Sequence, residues 1–178
     1  MHNIDMAEED PLENMKKLTR AIFNIAHDSL EKDRSLGSTA TVVLPNGECG
    51  IFPISFSDQH EKRAIYGALA QLAAKYGAVA IILANDARYR TYGKSDTVPS
   101  IEPGEIAEDE TASEMLWVTL VSPLVPHGFY IAAQYSRSPE KDIVWGSVSE
   151  VVGTEDYPIS VNIISPWWTP GGGAGMVN

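Results

Sequence analysis

Cysteine is almost missing from this chain: Cys49 stands alone. A single thiol makes no intrachain disulfide and no cysteine-rich zinc site, so disulfide scaffolds and zinc ribbons are closed to it. Positive charge is also scarce. Thirteen Lys and Arg face 24 Asp and Glu, a net charge of −11. Such a surface repels phosphate backbones and anionic membranes, which argues against non-specific nucleic-acid binding and against a membrane role. A basic partner suits it, as does imitation of DNA, and plain solubility explains it equally. No apolar run approaches the roughly 20 residues that cross a bilayer. The opening MHNIDMAEEDP lacks the basic-then-apolar order of a secretory signal, so a cytoplasmic location is expected.

What is present reads as an ordinary globular protein. The 178 residues are 44% hydrophobic and 21% charged, enough for one domain with a sizeable core. Residues 1–166 are expected to form that domain, interrupted by an acidic loop at 93–114, with a Trp-containing, Gly-rich tail at 167–178. A helix is predicted from about Asp10 to Asp33, with Asp10 as N-cap, Pro11 in the first turn and Glu13 at capping-box spacing. Its core stripe is Leu12, Met15, Thr19, Ile22, Phe23, Ala26 and Leu30, widened by Leu18 and Ile25, and Gly37 is its expected stop. TATVVLPNGECGIFPI follows, a hairpin about Asn46-Gly47.

A second helix is predicted from Asp58 to Tyr76, capped by Asp58 and Glu61 and ended by Gly77, with Ile65, Leu69, Leu72 and Tyr76 facing the core. The run from Ala78 to Leu83 has no polar residue, as expected of a strand covered on both faces. MLWVTLVS and FYIAAQYSR read as two more strands, then DIVWGSVSEVV and PISVNIIS. The fold class is therefore α+β, a mixed α/β layer, with two helices on a mixed, largely antiparallel sheet of five to seven strands. If the second helix joins two strands of one sheet, those strands run parallel.

That arrangement gives a place to the abrupt change in AVAIILANDARYRTYG. Ligands of open α/β sheets gather beyond the carboxyl ends of parallel strands. Asp86, Arg88 and Arg90 share one face of the third strand by period two, and Ser57, Asp58 and His60 stand on the same rim at a helix start. Arg88, Arg90, Ser57 and Asp58 are the candidate ligand-binding residues, suited to a carboxylate or phosphate. Asp86 and His60 are the candidate proton-transfer residues. The plainer reading pairs Asp86 with Arg88 and lets Asp58 cap its own helix.

Other patterns are incomplete. HEKRA lacks the second histidine of the zinc-protease pattern, and no G-x-S-x-G elbow occurs. His27 and Glu31 could share a helix face, but a solvated face explains them, so no metal and no cofactor is expected. Cys49, small and partly buried within a strand, has no positioned base in sight. Trp167 and Trp168 either fill a gap in the core or present an interface.

The order of LPNGE, AAKYGA and VAIILANDAR resembles a group of uncharacterised bacterial and phage proteins. In these a hairpin precedes a helix, a buried strand and an acidic-alanine-tryptophan triplet. Asp86-Ala87 matches the first two positions of that triplet, and Arg88 stands where tryptophan would. The resemblance implies a fold plan and no activity. The expectation is a small acidic cytoplasmic accessory protein, from a mobile element, that acts by binding a protein partner or as a homodimer. The alternative is a binder of small anionic ligands, or an enzyme, using the polar rim.

Overall fold

A computed structural model describes residues 10–89 and 112–156. Its elements are α1 (Pro11–Asp33), β1 (Thr39–Val43), β2 (Cys49–Pro53), α2 (Gln59–Lys75), β3 (Ala80–Tyr89), β4 (Ser113–Ser122), β5 (Val125–Arg137) and β6 (Ile143–Val152). Six strands form one sheet in the order β2-β1-β3-β4-β5-β6, and every neighbouring pair is antiparallel. The α+β class is the one expected. No parallel neighbours occur among the described residues, yet β2 and β3 both oppose β1 and so run parallel to each other across it. Ser113 and Glu114, placed in the acidic loop by composition, begin β4. The strand expected at PISVNIIS lies outside the described residues.

The hairpin forms with a turn that differs in detail. Gly47 N–H donates to the Leu44 carbonyl at 3.0 Å, and Gly47 is left-handed at φ 83°. Asn46 is not left-handed: its side chain accepts from Glu48 N–H at 3.1 Å. Pro45 fixes φ near −65°, which rules out a primed turn beginning there and selects a longer loop with glycine at the positive-φ position.

Two helices cover opposite faces of the sheet. Residues of β3 alternate between them: Ala80, Ile82 and Ala84 join the α1 cluster, while Ile81 and Leu83 join the α2 cluster. Against α1 lie Leu116, Val118, Phe129 and Ile131, with Met15, Phe23, Ala26 and Leu30 pointing in from the helix. Ile25, counted in the stripe by spacing, is 67% exposed. The helix stops at Arg34, not Gly37: Arg34 takes φ 58° and its N–H donates to the Leu30 carbonyl at 2.8 Å. Asp10 caps the helix through Leu12 N–H, whereas Glu13 turns to Lys16 and leaves the capping box open.

The reciprocal bonds at the start of α2 run one residue wide of a strict capping box, with Glu61 reaching Ser57 in place of the Asp58 N–H. Asp58 accepts from Glu61 N–H at 2.8 Å, and Glu61 accepts from both the N–H and hydroxyl of Ser57. Its buried face is Tyr66, Leu69, Ala70 and Ala73, while Tyr76 is exposed. The stripe is thus turned from the one predicted, with Ala70 and Ala73 fully buried within it. Gly77, at φ 62°, ends the helix as expected.

Candidate functional site

The register places Pro53 and Ala84 opposite the same residue, Thr39, so the carboxyl ends of β2 and β3 do meet on one rim. The sheet itself then separates the two polar sets. Asp86 and Arg88 continue the even-numbered series of β3 and face the α1 side. Ser57, Asp58 and His60 lead into α2 on the other side, where Ile54 and Phe56 pack with its cluster. The described members of the constellation, Ser57, Asp58, His60, Asp86 and Arg88, are therefore not brought together. Arg90, Trp167 and Trp168 lie outside the described residues.

Asp86 and Arg88 also do not pair with each other in the way proximity suggests. The Tyr135 hydroxyl donates to Asp86 Oδ1, and Arg137 Nη2 lies 3.9 Å from Asp86 Oδ2. Arg88 Nη2 lies 3.7 Å from Glu114 Oε1, its partner directly across the β3–β4 ladder. Glu114 also receives Arg137 Nε, at 3.1 and 3.2 Å to its two oxygens. Arg137 uses its remaining donors on the Tyr135 hydroxyl at 3.2 Å and the Arg34 carbonyl at 2.7 Å. Two carboxylates, two guanidiniums and a phenol thus close on one another.

The closure has a structural product. Arg34 is a non-glycine residue in the left-handed region, a conformation that costs about 1 kcal/mol or more. Its carbonyl is held by Arg137, and its guanidinium binds Asp142 and, at 3.3 Å, the Glu140 carbonyl. The rim network fastens the end of α1 to β5 and to the turn before β6. Burial and the bond to Asp86 hold the Tyr135 hydroxyl protonated well above the usual phenol range. It stays protonated at neutral pH and so serves as a donor to Asp86.

Tyr135, Arg137 and Glu114 escaped attention in the sequence. A signal was present: Phe129, Ile131 and Ala133 give the buried series of β5, and Tyr135 and Arg137 continue it at period two. Polar groups on a core-facing series need partners on that face.

Beneath the rim, aromatic packing continues. Trp145 meets Tyr135 edge-on at 5.5 Å and stacks on His27 at 3.9 Å. Trp145 Nε1 is buried without a hydrogen-bond partner, a cost of about 1–3 kcal/mol. His27, Asp28 and Glu31 bring ligand atoms within 4.8 Å of one another, but Asp28 and Glu31 are exposed and His27 is taken up by the stack. Cys49 is exposed on β2, contrary to the partial burial expected, and desolvation raises its thiol pKa, which disfavours the thiolate.

Two surfaces carry no such closure. On the α2 side of the sheet, outside the α2 cluster, Trp117 and Tyr130 pack at 4.8 Å. At the sheet edge, Val144, Val148 and Val152 of β6 are 52%, 56% and 50% exposed. No protein-family model, curated protein or solved structure matches this chain. No described helix is long and apolar enough to cross a membrane.

Proposed function

We propose that this protein acts by binding another protein chain along the β6 side of its sheet. The supporting observation is the character of that edge. β6 has ten residues, no proline and no lysine, and it ends the sheet among the described residues. Natural edge strands are usually blunted by short length, lysine, proline or a cover, because exposed N–H and C=O groups recruit strands. β2, at the other edge, follows that rule with five residues and Pro53 at its end. Three exposed valines on β6 add apolar contact where protection would be expected.

A pull-down with the full chain, paired with light scattering at several concentrations, tests the proposal. The expected result is a retained protein, or a second copy, that is lost on Val148→Lys while the melting temperature is unchanged. A strict monomer that retains nothing, or a partner indifferent to Val148→Lys, rejects it. The rim offers less to a small anion, since Arg137 and Arg88 already sit against carboxylates.

A further inference from the structure

We infer that Asn46 is a site of covalent modification: its side-chain amide is lost to attack by the Gly47 nitrogen, leaving an aspartyl or isoaspartyl residue in the β1–β2 turn. The inference goes beyond the proposed binding role and concerns the opposite side of the sheet. Of the chain's asparagines, Asn46 alone precedes a glycine. A following side chain crowds the approach of a backbone nitrogen to the asparagine amide, and glycine has none. A Cβ added at Gly47 would meet nothing within 4 Å, so no neighbouring element blocks that approach either.

Two hydrogen bonds set the reactivity of this pair. Glu48 N–H donates to Asn46 Oδ1 at 3.1 Å. That donor draws electron density from the amide carbon and stands where negative charge develops on the oxygen during attack, as in an oxyanion hole. Gly47 N–H donates to the Leu44 carbonyl at 3.0 Å, which withholds the nucleophile while the turn is shut. Residues 45–49 are exposed, so water and hydroxide reach both groups. The guard is one exposed bond, worth a factor of about ten at most. The other described asparagines are less favoured. Asn14 and Asn24 lie within α1 and Asn85 within β3, and they precede Met15, Ile25 and Asp86, whose side chains hinder the same approach.

The step balances without an oxidant or a cofactor. Hydroxide removes the Gly47 amide proton, and the nitrogen bonds to Asn46 Cγ. The Cγ–Nδ2 bond then breaks, and ammonia leaves with a proton from water, which returns the hydroxide. Water opens the resulting succinimide ring. Cleavage of the new bond gives aspartate; cleavage of the original peptide bond gives isoaspartate, whose main chain runs through the former side chain. Aspartate keeps the acceptor for Glu48 N–H and adds one negative charge. Isoaspartate lengthens the turn by a methylene, so the Gly47–Leu44 bond and the adjoining pair Val43↔Cys49 lose their fit. Among the described strands β2 pairs with β1 alone, so the disturbance frays β2 and leaves β6 as it was.

The test incubates the full chain at neutral and mildly alkaline pH, then maps its peptides by mass spectrometry, with an isoaspartyl-specific methyltransferase to label that product. The acid-for-amide mass gain is expected first at Asn46, faster as the pH rises. It should be no more than about tenfold slower than in the urea-unfolded chain. Gly47→Ala should slow it at least about tenfold, even though alanine at φ 83° loosens the turn and frees the nitrogen. Asn46→Asp should leave β2 amide exchange unchanged, whereas the isolated isoaspartyl form should exchange its β2 amides about tenfold faster with β6 unaltered. Earlier loss at any other asparagine, or equal loss in Gly47→Ala, overturns the inference. An amide that outlasts the tenfold allowance in the folded chain also overturns it, because more than the Leu44 bond then shuts the turn.

Discussion

The two helical layers are held to the same sheet by different means. α1, with 23 residues, is tied by directed polar bonds at two places. Arg20 reaches Glu150 on β6, and the Arg34 cap is gripped by Arg137 and Asp142. α2, with 17 residues, keeps its described side-chain hydrogen bonds at its own start, between Ser57, Asp58 and Glu61. It holds the sheet through Tyr66, Leu69, Ala70 and Ala73. The contrast explains the polar rim. Asp86 and its neighbours serve the α1 layer as an anchor, with their charges spent on one another.

Removing one large apolar side chain from each layer should give the largest effects. Leu30 is fully inaccessible in the α1 cluster, and Leu30→Ala is expected to cost about 3 kcal/mol. Leu69→Ala, in the thinner α2 layer with its small alanine neighbours, should cost about 2 kcal/mol. Urea unfolding measures both. A larger loss at Leu69 would mean that α2, and not α1, carries most of the packing.

Next in size is the anchor. Tyr135→Phe keeps the ring against Trp145 but removes the hydroxyl that donates to Asp86 and accepts from Arg137. Asp86 then faces the core side with one bond fewer, and a loss of about 2 kcal/mol is expected. Amide exchange should quicken around Arg34 and at the end of α1, while α2 stays as protected as before. An unaltered α1 end would show that the Arg34 cap stands without the network.

Much of this contrast was legible in residues close together along the chain, and little of it in residues far apart. The hairpin, the Asp58 cap and the Gly77 stop depend on chain neighbours, and each formed where its residues predicted. The core face of α2 was misjudged because alanine reads as neutral in a sequence, whereas Ala70 and Ala73 are fully buried in the fold. The pairing of Asp86 with Arg88 was the local solution to a non-local question. Arg88 meets Glu114, set opposite by register, and Tyr135 reaches Asp86 across β4. Register between strands separated by more than twenty residues has no local signature. The β6 edge was hidden for a related reason: DIVWGSVSEVV reads as a strand, but only topology shows that it comes last in the sheet among the described residues.

Asp58→Ala tests the α2 side alone. It removes the acceptor for Glu61 N–H and should cost about 1 kcal/mol, the usual value of an N-cap. Loss of protection should be confined to the first turn of α2. Spread to Arg34 or Tyr135 would mean that the layers are coupled through the sheet, contrary to the separation of their bonds.

The smallest effect is expected from acid titration of the cross-layer pair. The hydrogen bond from Arg20 lowers the Glu150 carboxyl below its ordinary value, and a like shift at Glu61 comes from the Ser57 N–H and hydroxyl. A carboxyl whose folded pKa is depressed contributes stability above its unfolded pKa, about 4.3, and loses that contribution as the pH falls through the folded value. Neutral and mildly acidic solutions should therefore show a flat response, with the loss beginning only below the ordinary glutamate range. Glu150 is 41% exposed, so solvent screening limits the pair to about 0.5 kcal/mol. Glu150→Gln should flatten part of the acid limb of a melting-temperature profile and quicken exchange on the face of α1 around Arg20. Glu61→Gln should flatten the same limb while leaving α1 untouched. If both substitutions disturb α1 alike, the polar fastening is shared between the layers and the distinction between them fails.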